Sequence, residues 1–185
     1  GKIPDSLKSE FMTSNNRIVY DGGGIDPDIV VDQEDLSVVA YTLEIRGLIF
    51  DYATEYFYGH PEISSPDVFA LTDKEYENFK KWLQGKDYSY MTHVERDLNE
   101  MRQDAKGQKY YPLIEKQLGE LQKVIDESKA KDLDLFSTQI RYLLEKEIAE
   151  RYYLESGGIE STFDEDQSIK TAIAVLNDQV EIDRI

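Results

Sequence analysis

The chain has 185 residues, 38 acidic against 21 basic side chains, a formal net charge of −17 and a 40% apolar fraction, enough for a real core in one domain or in a small domain with an extension. So negative a surface repels phosphate backbones and anionic headgroups, which makes nucleic acid and membrane surfaces poor partners. The absence of cysteine excludes disulfides and thiolate metal sites and leaves both cytoplasm and periplasm open. The most apolar run, GLIFDYA at 47–53, is interrupted by Asp51 and too short to span a bilayer, and the first residues are polar, so neither anchor nor signal peptide is expected. Gly1 in place of an initiator methionine reads as the scar of a cleaved tag, which marks the chain as a piece of a longer protein.

Up to residue 34 the chain reads as short strands, EFMTS, RIVYD and IDPDIVV, with Asn15 and Asn16 at a two-residue hairpin turn. Beyond it the period becomes helical. Val38, Tyr41, Ile45, Leu48, Tyr52 and Tyr56 are spaced for one face of a long helix ended by Gly59, His60 and Pro61. Thr72 and Glu75 have the spacing of a capping box, and open a helix with Tyr76, Phe79 and Trp82 or Leu83 inward. A third helix is expected over 91–105 with Val94, Leu98 and Met101 inward, stopped at Gly107. Leu113, Ile114, Leu118, Leu121 and Ile125 mark a fourth. Leu133, Phe136, Ile140, Leu143 or Leu144 and Ile148 mark a fifth that runs toward Leu154 and is ended by Ser156, Gly157 and Gly158. The segments 109–128 and 131–155 suit an antiparallel helical hairpin, and Glu127 with Lys131 and Glu147 with Arg151 suit exposed helical faces. Asp164 or Asp166 begins a last helix through Ile169, Ile173 and Leu176.

The glycines of RIVYDGGGIDPDIVV fit neither a phosphate cradle, which needs a following lysine and hydroxyl residue or alternating glycines, nor a calcium loop, since Gly23 and Ile25 stand where oxygen ligands belong. They read as positive-φ positions of a tight reversal, after which Pro27 holds Asp26 extended and launches a strand.

The block FMTSNNRIVYDGGGIDPDIVV resembles the last conserved block of the carboxy-terminal processing peptidases, or tail-specific proteases, with Arg17, Val19, Tyr20, Gly22, Gly23, Gly24, Ile25, Pro27 and Asp28 in the family's order and Asn16 where that family more often has glycine. FALTDKEYENFKKWLQGKDYSY and EKEIAERYYLESGGIE are similar to the carboxy-terminal extension of such proteins. The resemblance implies a mainly α fold: 1–34 closes a peptidase core with a β element, 35–70 is a connecting helix and linker, and 71–185 is a helical domain. It implies a parent serine endopeptidase with a Ser and Lys dyad and a peptide-binding module, acting on protein or peptide substrates in the periplasm or cell envelope, with no cofactor and with homo-oligomers possible. The family's dyad precedes the quoted block. Lys2 and Lys8 lie in a polar lead segment, so no catalytic residue is carried over and whether the chain is itself an enzyme is left open.

Ser156 beside two glycines follows a helix and reads as its cap. His60 and His93 belong to no metal motif. Tyr110 with Tyr111 and Tyr152 with Tyr153 are either an aromatic peptide-binding surface or amphipathic core and rim. Three functions stand: the non-catalytic carboxy-terminal region of a processing peptidase, with helices for substrate positioning or subunit contact; a free-standing helical interaction module; and an enzyme with an unrecognised acid and base pair.

Overall fold

The computed structural model describes residues 8–14, 18–21, 27–32 and 35–184. The expected Asn15–Asn16 turn, Arg17, Gly22 to Gly24 and Ile25 lie outside them. Two strands, β1 (Glu10–Met12) and β2 (Ile18–Tyr20), precede α1 (Val38–Ile45), α2 (Leu48–Gly59), α3 (Asp73–Trp82), α4 (His93–Gly107), α5 (Tyr111–Lys129), α6 (Asp132–Leu135), α7 (Ser137–Glu160), α8 (Gln167–Leu176) and α9 (Gln179–Arg184). The fold is mainly α with a short β-hairpin, as the change of period near residue 35 predicts.

The chain divides into two compact units, one of residues 34–170 and one of 1–33 with 171–185. In the smaller unit the strands pair antiparallel with Glu10 opposite Tyr20, Phe11 opposite Val19 and Met12 opposite Ile18. Ser9 and Asp21 extend the pairing: the Asp21 N–H donates to the Ser9 carbonyl at 3.1 Å, and the Ser9 N–H to the Asp21 side chain at 2.7 Å. The strand expected at Asp28–Val31 does not form; these residues are bend and coil. A strand needs a neighbour for its backbone groups, and the described sheet has only two members.

The larger unit is built on α2 against α7, with α1 against both of them. Leu43, Ala53, Phe79, Leu83, Ile140, Leu144 and Ile148 are fully buried there. Tyr52 packs edge-on against Phe79 at 4.9 Å and Trp82 at 5.3 Å between ring centres. A second, smaller cluster joins α4 to α5 through Leu98, Leu118 and Ile125, with Tyr111 and Ile114 half-buried beside them. The expected hairpin between the fourth and fifth helical segments is therefore replaced by two other partnerships, α5 with α4 and α7 with α2. The amphipathic pattern tells that each helix has an apolar face and says nothing of which face it meets.

Local departures have identifiable causes. The single helix expected over 35–58 breaks at Gly47, whose φ of +71° suits a residue without a Cβ. The break re-aims α1, so Val39, Ala40, Thr42 and Leu43 are buried while Tyr41 and Ile45 of the expected stripe face outward. Val94, Met101, Leu113 and Leu121 are likewise exposed, because the α4–α5 seam is narrow. Glu147 pairs with Arg151 at 2.8 Å as its spacing requires. Glu127 lies nearest Lys123, at 3.7 Å, since α5 ends at Lys129 before Lys131 is reached. Asp166 does open α8, its carboxylate accepting from the Ser168 and Ile169 N–H groups.

The largest departure is in α7. The helix that starts at Ser137 is broken at Leu154, which has φ 61° and ψ −169°, two residues before the stop expected at Ser156, Gly157 and Gly158, and a short further helical stretch follows to Glu160. That conformation is essentially reserved for glycine and costs on the order of 1–3 kcal/mol in any other residue. A Cβ built on Gly157 would overlap the Cβ of Tyr153, and one on Gly158 the Glu150 side chain. The glycines are needed for close packing at the bend.

Candidate functional site

Of the sequence motif, Val19 and Tyr20 lie side by side on β2 with exposed side chains, and the Tyr20 hydroxyl reaches Glu10 at 3.3 Å. Pro27 and Asp28 follow in an exposed bend. Other singled-out residues stand apart. The Ser156 hydroxyl donates to the Tyr153 carbonyl at 3.2 Å inside α7. His60 stacks on Tyr56 with ring centres 3.8 Å apart, and its Nδ1 lies 2.8 Å from the Tyr56 carbonyl. His93 starts α4, near Arg96. Among the described residues no group of histidines and carboxylates is arranged to hold a metal. Of the paired tyrosines, Tyr152 donates to the His60 carbonyl and Tyr153 to those of Ile63 and Ser64, while Tyr110 is exposed and Tyr111 half-buried beside the α4–α5 cluster.

Within the larger unit, four helix ends converge on an open groove of about 480 Å³, a size suited to a peptide segment or small ligand. The start of α1 gives Leu36, Val38 and Val39; the start of α4 gives Thr92 and Val94; the end of α5 gives Val124, Ile125, Ser128 and Lys129; α6 and its end give Asp132, Leu135 and Phe136. Val94, Val124 and Leu135 are well exposed in it. Each helix end is set by a local signal. Ser37 caps α1, its hydroxyl accepting from the Ala40 N–H, while its own N–H donates to Gln139 at 2.8 Å. Thr92 and Glu95 form a full capping box on α4.

The groove's polar groups are committed to one another. Lys129 Nζ donates to both oxygens of Glu95 at 2.9 Å and to the Tyr90 carbonyl at 2.8 Å, and sits 4.5 Å over the Tyr90 ring. The Tyr90 hydroxyl donates to buried Asp132 at 2.6 Å. Burial, then the bond to Asp132, push the Tyr90 phenol above its ordinary range, so it remains a donor. Burial alone raises the Glu95 carboxyl, but the Thr92 N–H, Lys129 and the Thr92 hydroxyl outweigh it and hold the group low and ionised. Lys129, the only cation among the described residues that line the groove, is thus already neutralised, and what the groove offers a ligand is apolar area. The sequence held one unread sign of it, the Thr92 to Glu95 spacing; the Lys129–Glu95 pair spans 34 residues and leaves no local signal.

The helical fold agrees with a comparison of the sequence against known families. Residues 39–176 match the family described as "Probable PDZ-protease, C-terminal helical domain". The chain belongs to this family. The matched span of this PDZ-protease helical domain opens in α1 and closes on the last residue of α8, and it includes all of the groove except Leu36, Ser37 and Val38. No curated protein and no solved structure matches the chain.

Proposed function

We propose that this chain is the carboxy-terminal part of a carboxy-terminal processing, tail-specific serine peptidase, that it is non-catalytic by itself, and that its helical domain positions extended segments of protein substrates. The observation that carries the reading is the family match over residues 39–176 directly after a block that resembles the end of a processing-peptidase core. By that resemblance the Ser and Lys dyad belongs to the parent protein, which works in the periplasm or cell envelope. The groove supplies the surface for positioning. Because Lys129 is held by Glu95 and Tyr90, the ligand it suits is an apolar stretch of chain and not a terminal carboxylate.

Fluorescence anisotropy with a labelled apolar, unstructured peptide tests this, using one version with a free carboxy terminus and one amidated. Both versions bind the 185-residue chain with equal affinity within about twofold, and Val124→Glu or Leu135→Glu weakens both by about tenfold, ~1.4 kcal/mol. Absence of binding, or binding restricted to the free acid and indifferent to both substitutions, contradicts the assignment.

A further inference from the structure

We propose that Leu154–Gly158 is a two-state hinge, alternating between the kinked α7 and a straight α7 that runs unbroken from Ser137 to Glu160. Several features coincide at one place. Leu154 holds a backbone conformation that favours glycine, yet its side chain is 76% exposed, so no burial of that side chain compensates for the strain. Three and four residues later stand the two buried glycines, tight against Tyr153 and Glu150. In an unbroken helix residues 153 and 157 have Cβ positions about 5–6 Å apart, so a side chain at 157 is compatible with the straight form and incompatible with the kinked one. Glycine at both 157 and 158 keeps the kinked form accessible, and leucine at 154 keeps the straight form competitive.

The segment before the bend is a fixed post. Tyr152 and Tyr153 hydrogen-bond to the carbonyls of His60, Ile63 and Ser64, and Ile148 and Ala149 are fully buried. The change therefore falls on residues 155 onward, whose contacts at the bend are the glycine packing and the Ser156 hydroxyl bond to the Tyr153 carbonyl. Bistable packing of this kind converts a small energetic bias into a discrete movement.

The chain has no cysteine, so Thr138→Cys with Glu160→Cys gives two unique, exposed spin-label sites on α7. In a straight helix their Cα atoms are about 33 Å apart. Pulsed electron-paramagnetic-resonance distances on the full 185-residue chain are expected to show two populations, a shorter one and one near that value. Leu154→Gly, which relieves the kinked form, depletes the longer population. Gly157→Ala, which excludes the kinked form, depletes the shorter one. A single population that neither substitution shifts overturns the proposal. Should Gly157→Ala lose its helical circular dichroism, Leu154→Gly decides alone: a distribution identical to that of the parent chain overturns the hinge, and loss of the long distance supports it.

Discussion

Gly47 shows how much one residue decides. It separates α1 from α2 with φ +71°, and an added methyl group would meet no atom within 4 Å. Gly47→Ala should therefore act through the backbone alone and lower stability by about 1 kcal/mol, with Gly47→Asn costing less because asparagine tolerates the left-handed region. Urea unfolding with an unchanged slope checks both, and an alanine variant as stable as the parent contradicts the reading. The break could not be read from periodicity, since apolar residues recur at three and four across it and a glycine inside such a run looks the same whether its φ is negative or positive. At Gly157 and Gly158 the two adjacent glycines do mark a stop, but the backbone turns a little earlier, at Leu154, and the glycines serve the close packing that follows it.

Among whole elements, α3 was fully legible, because its cap is encoded within four residues. Thr72 accepts from the Glu75 N–H, and Glu75 accepts from both the N–H and the hydroxyl of Thr72. Glu75 also receives the Tyr56 hydroxyl at 2.7 Å, a link from α2 that no local pattern reveals. Burial by itself raises the Glu75 carboxyl; the bonds from Thr72 and Tyr56, with nearby His60, outweigh it and lower the group below its ordinary 4.5. The stability this contributes is complete above the unfolded-state value and is lost as pH falls through the lower folded-state value. Glu75→Gln should accordingly cost on the order of 1 kcal/mol at pH 7, and its stability curve should converge with that of the parent chain as pH falls through the lowered folded-state value. Thermal melts across pH measure this, and a gap between the curves that does not narrow as pH falls below the ordinary carboxyl range contradicts it. Pairing of elements was less legible. Four residues specify a cap, whereas the choice of α2 rather than α5 as the partner of α7 depends on side chains about a hundred residues apart.

At the scale of the whole molecule, the sequence's change of period near residue 35 separates the β-hairpin from the helices, and the family match covers most of the helical part. The groove was not legible because its lining comes from four helix ends, each ordinary by itself, and because the ion pair beneath it joins residues 95 and 129. Its walls explain why a strongly acidic chain still offers an apolar surface: within the groove, charge is paired and turned inward. As proposed above, the chain is part of a serine peptidase and leaves the bond-breaking to residues elsewhere in the parent protein. A Ser and Lys mechanism loses nearly all of its rate when either partner is absent. The most direct measurement treats the purified 185-residue chain, beside its full-length parent, with a serine-reactive fluorophosphonate probe. Stoichiometric labelling of the parent and none of the 185-residue chain is expected; labelling of the short chain that Ser156→Ala or another single serine substitution abolishes would contradict the proposed assignment.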